Sequence, residues 1–280
     1  MFVLLNVTEE NSIKNKLRDM FFSPQISVER IEAPNAAPFF RMNCKKYRGI
    51  VPFNTIIAAS GRLKDRIIAP KSMEIPKNSD LKLYSSDVLK KRLIMNSAAN
   101  VLEKVFCNRN DITLSIVDEY GKHYDLLENF VSLAGEIKVY TKYASKYSSV
   151  CKMIMKKYGL LVTVIPEAKF LDEYGVVISH DPELVSPHFK GILFTNGEAS
   201  PACCSAIRGL NVDISDYIKF PVSEFNDNTD IACALYELCY AYSLGKLSYT
   251  NLFVNGNACS YEEAANIISY KIAEYIRCKV

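Results

Sequence analysis

The 280-residue chain has no tryptophan, and its three histidines, His123, His180 and His188, are too scattered to suggest a metal site. Nine cysteines are present but no CxxC pair, so neither a zinc ribbon nor a thioredoxin-like redox motif is indicated. No apolar run approaches the ~18 residues that a membrane-spanning helix needs, which excludes a membrane anchor of that kind. There is no internal repeat and no low-complexity segment. No Gly/Ser-rich linker occurs either, so closely packed domains are expected. The 11 glycines nowhere form G-x-G-x-x-G.

What is present describes an ordinary globular chain. Hydrophobic residues make up 49% and charged residues 23%, which excludes intrinsic disorder. An odd number of irregularly spaced cysteines reads as reduced thiols in a cytoplasmic protein. The opening MFVLLNVTEEN has no basic residues before its apolar run and no small-residue cleavage site after it. It is expected to be a first buried strand rather than a secretory signal.

Charge is distributed unevenly. Residues 1–107 hold 18 lysines and arginines against 10 acids, whereas residues 108–280 hold 16 against 21. The basic excess is densest between Arg41 and Lys71. One reading is a site for a small anionic ligand; the other is a solvated face or half of an interface. Nucleic acid is an unlikely partner, because the same stretch contains the apolar run Ile50–Ala59 expected of folded core.

The hydrophobic pattern predicts three segments. Residues 1–107 form a small N-terminal α/β domain and a linking helix. The expected elements are a strand over Phe2–Val7, a helix over Glu9–Phe22, and extended segments over Gln25–Glu32, Gly49–Ala58 and Arg66–Pro70. Six of the eleven prolines fall before residue 84, which argues against long helices there. Ser86 and Asp87 open a long helix over 84–107. Residues 108–225 alternate strand and helix. Strands are expected at Ile112–Val117, Ile137–Tyr140, Leu160–Ile165, Val176–Ser179, Gly191–Phe194 and Tyr217–Phe220. Helices are expected at Tyr124–Ala134, stopped by Gly135, and Ala144–Tyr158, stopped by Gly159. Such alternation implies a doubly wound parallel sheet. Residues 226–280 are read as C-terminal helices packing back on the N-terminal domain, with Thr229–Leu244 first. Ser260-Tyr-Glu-Glu263 forms a capping box before the last helix.

The run ITLSIVDEYGKHYDLLENFVSLAGEIKVYTKYASKYSSVCKMIMKKYGLLVTVI resembles the core of Rossmann-type nucleotide-binding domains. The overall layout is similar to the shikimate-dehydrogenase class, with a substrate domain, a Rossmann domain and returning helices. That resemblance implies a dinucleotide at the turn after the first strand, a ligand in the interdomain cleft, and a lysine and aspartate that shuttle a proton. Lys64, Asp65 and Lys71 are of the right types but match no motif. The turn itself departs from the pattern. It reads Asp118-Glu-Tyr-Gly-Lys-His-Tyr124, with Gly121 its single glycine and two acids where a pyrophosphate would lie. The fingerprint is therefore degenerate, and ordinary NAD(P) binding is not expected. Thr141 and Lys142, after the second strand, would tolerate a phosphate, so NADP is the better guess if either cofactor binds. The same turn is faintly similar to the first motif of haloacid-dehalogenase-type phosphatases, with Asp118 as nucleophile, but Tyr120 replaces the second aspartate.

In an open α/β sheet, ligands bind outside the carboxyl ends of the strands. Those ends hold the candidate cofactor-binding residues Asp118, Tyr120, Gly121, Lys122, Thr141, Lys142, Asn196 and Gly197. They also hold His180 beside Asp181, residue types suited to acid–base work. Cys203-Cys204 is a further possible reactive pair. Two functions stay open: a binding or oxidoreductase-like protein, NADP-dependent if active, and a non-enzymatic scaffold that self-associates or holds a partner.

Overall fold

Inner parallel strands are buried on both faces and so read as continuous apolar runs. VLLNVT, the first strand of the chain, is of this kind. The computed structural model describes residues 1–8, 24–46, 50–70, 73–77, 79–167, 171, 174–197, 204–222, 225 and 227–279. The chain divides into two compact units, one of Met1–Leu89 with Val212–Gly245 and one of Lys90–Asn211 with Lys246–Val280.

The first unit contains a four-stranded sheet. Its strands are β1 (Val3–Thr8), β2 (Ile26–Ile31), β3 (Phe39–Lys45) and β4 (Ile67–Ile68), in the order β2-β3-β1-β4. β1 runs parallel to β3 and β4, and β2 is antiparallel to β3. Leu5, Met42, Ile56 and Ile67 are buried together between this sheet and helix α1 (Phe53–Ser60). Helix α1 corrects the expected extended segment over 49–58. The carbonyl of Pro52 accepts from the amides of Thr55 and Ile56 and starts a helix through this apolar run. Strand β3 is missing from the expected elements, although Phe40–Lys45 alternates apolar and polar residues and buries Met42 and Cys44. The strand expected at 217–220 is a turn instead, closed by the amide of Ile218 on the carbonyl of Ile214. The helix expected at Glu9–Phe22 lies outside the described residues.

The second unit begins inside helix α2 (Val88–Leu102) and is organised by an eight-stranded sheet. Its strands are β5 (Thr113–Val117), β6 (Glu136–Tyr140), β7 (Val162–Ile165), β8 (Val176–Ser179), β9 (Ile192–Phe194), β10 (Ser205–Leu210), β11 (Asn251–Val254) and β12 (Asn257–Cys259). The spatial order is β7-β6-β5-β8-β9-β10-β11-β12. β5 to β10 are all parallel. Counted from β5 as the first, their order is 3-2-1-4-5-6, which is that of the Rossmann fold. The protein is thus α/β with a Rossmann-like parallel sheet, as the sequence pattern implied. The antiparallel hairpin β11–β12 extends one edge.

The unit also departs from expectation. The first crossover is a short 3₁₀ helix over Tyr124–Phe130, not an α-helix to residue 134. Leu126, Leu127 and Phe130 are buried, and i→i+3 bonds at Val131 and Leu133 keep the winding tight. Gly135 does not stop a helix. Its amide donates to the carbonyl of Ile112, and a Cβ there would lie 2.6 Å from the Cα of Asn110. The sixth parallel strand is β10, not 217–220. Helix α3 (Ala144–Tyr158) ends where predicted, with Gly159 in the left-handed region at φ 69°. Helix α4 (Thr229–Leu238) is shorter than expected, and Gly245 lies in a following 3₁₀ turn. It falls in the first unit, whereas α5 (Tyr261–Lys279) falls in the second. β11 and β12 pair with β10 and carry the chain's end to this sheet.

Candidate functional site

The switch point of this sheet lies between β5 and β8, at their carboxyl ends. Asp118 follows β5 directly and is only 4% exposed. Its Oδ2 accepts from the backbone amide of His123 at 2.8 Å and from the hydroxyl of Tyr147, on α3, at 2.7 Å. Its carbonyl accepts from the amide of Gly121 at 2.9 Å. Asp118 therefore closes the turn and ties it to α3. Burial and the neighbouring carboxylate push the Tyr147 phenol far up, so it remains a donor. His123, within this turn, is 3% exposed, and neither ring nitrogen has a hydrogen-bond partner. Burial lowers its pKa to about 4 against the opposing pull of Asp118.

A pyrophosphate in a Rossmann domain normally meets a glycine turn and a helix N-terminus. Here the first crossover has no α-helix, and the acid of the turn is committed to structural bonds. Gly121 has φ 60°, and a Cβ there would stand 3.0 Å from the Lys146 side chain. It allows a tight turn against α3.

The end of β6 contributes the next candidates. Thr141 is buried; its Oγ1 accepts from the amide of Tyr143 at 3.1 Å and donates to the carbonyl of Glu119 at 3.4 Å. Lys142 is ion-paired to Glu119 at 2.6 Å, and this pair lowers the glutamate pKa and raises that of the lysine. Thr141 and Lys142 thus brace the turn after β5. Beside them lies a recess of about 500 Å³ lined by Gly121, Lys122, Tyr124, Ser145, Lys146 and Ser149. Lys146 Nζ donates to the carbonyl of Tyr120 at 3.1 Å. Lys122 lies over the Tyr120 ring, 6.0 Å from its centroid, and has no ion pair among the described residues. The first turn of α3 holds no acidic residue and no side-chain cap.

Asn196 and Gly197 lie at the end of β9. Asn196 Nδ2 donates to the carbonyl of Lys90 at 2.9 Å and lies 3.0 Å from Nδ1 of His180, while its own Oδ1 is buried without a partner. The Gly197 amide donates to Thr195 Oγ1, and a Cβ there would meet the Pro182 ring. The start of α2 touches both groups of candidates: Lys90 bonds Asn196, and Lys91 lies 5.6 Å from the Tyr120 centroid. His180 and Asp181 do not act on one another. Asp181 Oδ1 accepts from the amide of Glu183, capping a short turn, while His180 meets Asn196.

Sequence reasoning missed Tyr147, His123, Ser145, Ser149 and Lys146. The signal for Tyr147 was a phenol in the helix after β6, the strand that lies beside acid-ended β5. Of the other candidates, Lys64 and Asp65 are exposed near a short 3₁₀ turn, and Lys71 and Cys203 lie outside the described residues. Among the described residues no group of three His, Cys, Asp or Glu side chains could hold a metal ion, and no helix is long and apolar enough to cross a membrane.

The chain matches no protein-family model and no curated protein. It is similar to several solved structures. A lysine cyclodeaminase is 13% identical at a TM-score of 0.28, over 41% of this chain and 37% of that one. The Δ1-pyrroline-2-carboxylate reductase of Thermococcus litoralis, solved with NADH and L-proline, is 12% identical at 0.27, over 70% and 69%. An archaeal alanine dehydrogenase dimer with bound NAD is 11% identical at 0.27, over 67% and 66%. The chain thus spans little more than a third of the first of these proteins. At such scores these likenesses carry nothing about chemistry; the strand order itself defines the Rossmann-like class.

Proposed function

We propose that this protein binds a small anionic molecule at the carboxyl edge of its parallel sheet and does not hold a dinucleotide by the usual pyrophosphate mode. The observation that carries this reading is the recess lined by Lys122, Lys146, Ser145 and Ser149 beside a turn whose acid, Asp118, is internally bonded. Two ammonium groups, two hydroxyls and the uncapped start of α3 present donors and positive charge to one small volume. The recess suits such a ligand better than the Arg41 end of the basic stretch 41–71, where Arg41 faces Glu29 and the Phe220 ring.

A second reading is an NADP-dependent oxidoreductase. The strand order favours it, as does the position of the recess after β6, the region where Rossmann domains take up the ribose 2′-phosphate.

Titration calorimetry with inorganic phosphate, 2′,5′-ADP, NADP and NAD tests both readings. The proposal expects phosphate or 2′,5′-ADP to bind, with at least a tenfold loss in Lys122→Ala/Lys146→Ala and weakening by salt. NADP tighter than 2′,5′-ADP, with NAD weaker, selects the oxidoreductase. No heat with any of the four overturns the anion site.

A further inference from the structure

The opposite, amino-terminal edge of the same sheet holds a second cavity, of about 350 Å³. Such a volume is at the small end of the range for small-molecule sites. Its floor is backbone. Gly175 precedes β8 and Gly191 precedes β9, and the two segments approach closely enough that the Ile192 amide donates to the Gly175 carbonyl at 2.9 Å. Gly175 has φ 103°, and a Cβ there would come within 2.7 Å of the Thr113 carbonyl oxygen, so the floor has no side chain at that point. One wall is aromatic: the rings of Tyr174 and Tyr275 are stacked with centroids 4.6 Å apart at 19°.

The charges around this wall are the informative part. Lys271 and Glu274, neighbours on α5, approach to 3.7 Å and offset one another. Lys190 and Asp111 remain, and neither has an ion pair among the described residues. Lys190 Nζ stands 5.7 Å from the Tyr174 centroid and 3.5 Å from its hydroxyl. A purely apolar ligand would engage neither charge, leaving Lys190 to Tyr174 and both groups to solvent. A simple anion would answer one of them and leave the aromatic wall unused.

We propose that this cavity is a binding site for a planar aromatic zwitterion, a ring that lies against Tyr174 and Tyr275 and bears both a carboxylate and a protonated amine. The carboxylate meets Lys190 and the ammonium meets Asp111. The ring gains from aromatic contact, which contributes beyond simple burial. This site is on the edge of the sheet away from the switch point, and it shares no lining residue with the anion recess.

The absence of tryptophan makes the test direct, because an indole ligand can be read by its own fluorescence. L-tryptophan, indole-3-acetate and tryptamine, titrated into the full chain, supply both charges, the carboxylate alone and the amine alone. L-tryptophan is expected to bind at least tenfold more tightly than either single-charge analogue. Lys190→Ala should remove its advantage over tryptamine, and Asp111→Asn its advantage over indole-3-acetate. Both side chains are exposed, so neither change threatens the fold. Tyr275→Phe keeps the stacked wall and should preserve binding. No saturable signal with L-tryptophan, or equal affinity for all three ligands, overturns the proposal. So does binding that survives both charge substitutions.

Discussion

The hydroxyl of Tyr147 on α3 donates to Oδ2 of Asp118 at the end of β5, across 2.7 Å, and both residues are buried. This bond, with the His123 amide on the same oxygen, turns the acid of a would-be cofactor loop into a tie between strand and helix. Asp118 is thus a folding residue first. The charge repulsion expected from it in the sequence is secondary to that role.

Replacing Asp118 by Ala should destabilise the protein by about 2–4 kcal/mol, because a buried phenol and a buried amide lose a charged acceptor. Tyr147→Phe should cost less, about 1–2 kcal/mol, since the carboxylate keeps the His123 amide. A double-mutant cycle by urea unfolding measures the coupling. Additive effects would show that the bond contributes nothing of its own. Asp118→Gly should not restore dinucleotide binding, because the first crossover still supplies no α-helix; tight NAD binding by that variant would contradict this account.

His123 makes stability depend on pH. Its folded pKa, about 4, lies below the 6.5 usual for a histidine side chain, because burial outweighs the nearby Asp118 and Asp125, and Arg92 and Lys91 add to the depression. The unfolded chain therefore takes up a proton between these values while the folded chain does not. The contribution is fully present above pH 6.5 and is lost as pH falls toward 4, up to roughly 3 kcal/mol in all. His123→Gln should flatten unfolding free energy across that window relative to the wild-type chain. An unchanged slope would place the titration elsewhere.

Gly209 lies in β10, opposite Leu252 of β11, and a Cβ on it would run into the Tyr249 ring. Gly209→Ala should cost about 1–3 kcal/mol through overpacking. Combined with Tyr249→Ala it should cost less than the sum of the two single changes. Thermal unfolding of the four proteins checks this, and full additivity would mean that the ring is not what excludes the methyl group.

The last helix offers a simpler case. Ser260 Oγ accepts from the Glu263 amide at 3.1 Å, and Glu263 returns a carboxylate oxygen to the Ser260 amide at 2.7 Å. Ser260→Ala should destabilise by about 1 kcal/mol, with Ser260→Asp largely retaining the cap. Chemical denaturation distinguishes the two variants.

Elements whose signals are local were legible in the sequence. The apolar run of β8 appears at its observed limits, as do α3, Gly159 behind it and the capping box before α5, because each is written in neighbouring residues. Alternating strand and helix also implied the parallel Rossmann-like sheet, since a crossover of fixed hand is what such alternation allows. Tertiary structure decided the rest. Tyr124–Phe130 has the apolar content of a helix, but Gly135 must reach Ile112 and Asn110, and this shortens the crossover. β10, β11 and β12 are strands because distant partners supply their hydrogen bonds, whereas β3 carried its own alternation over Phe40–Lys45. The same holds for chemistry. The residue types at the carboxyl ends could be read directly. That Asp118 is held by Tyr147, that Lys142 is held by Glu119, and that Lys122 and Lys146 share a recess depends on which segments the sheet order brings side by side.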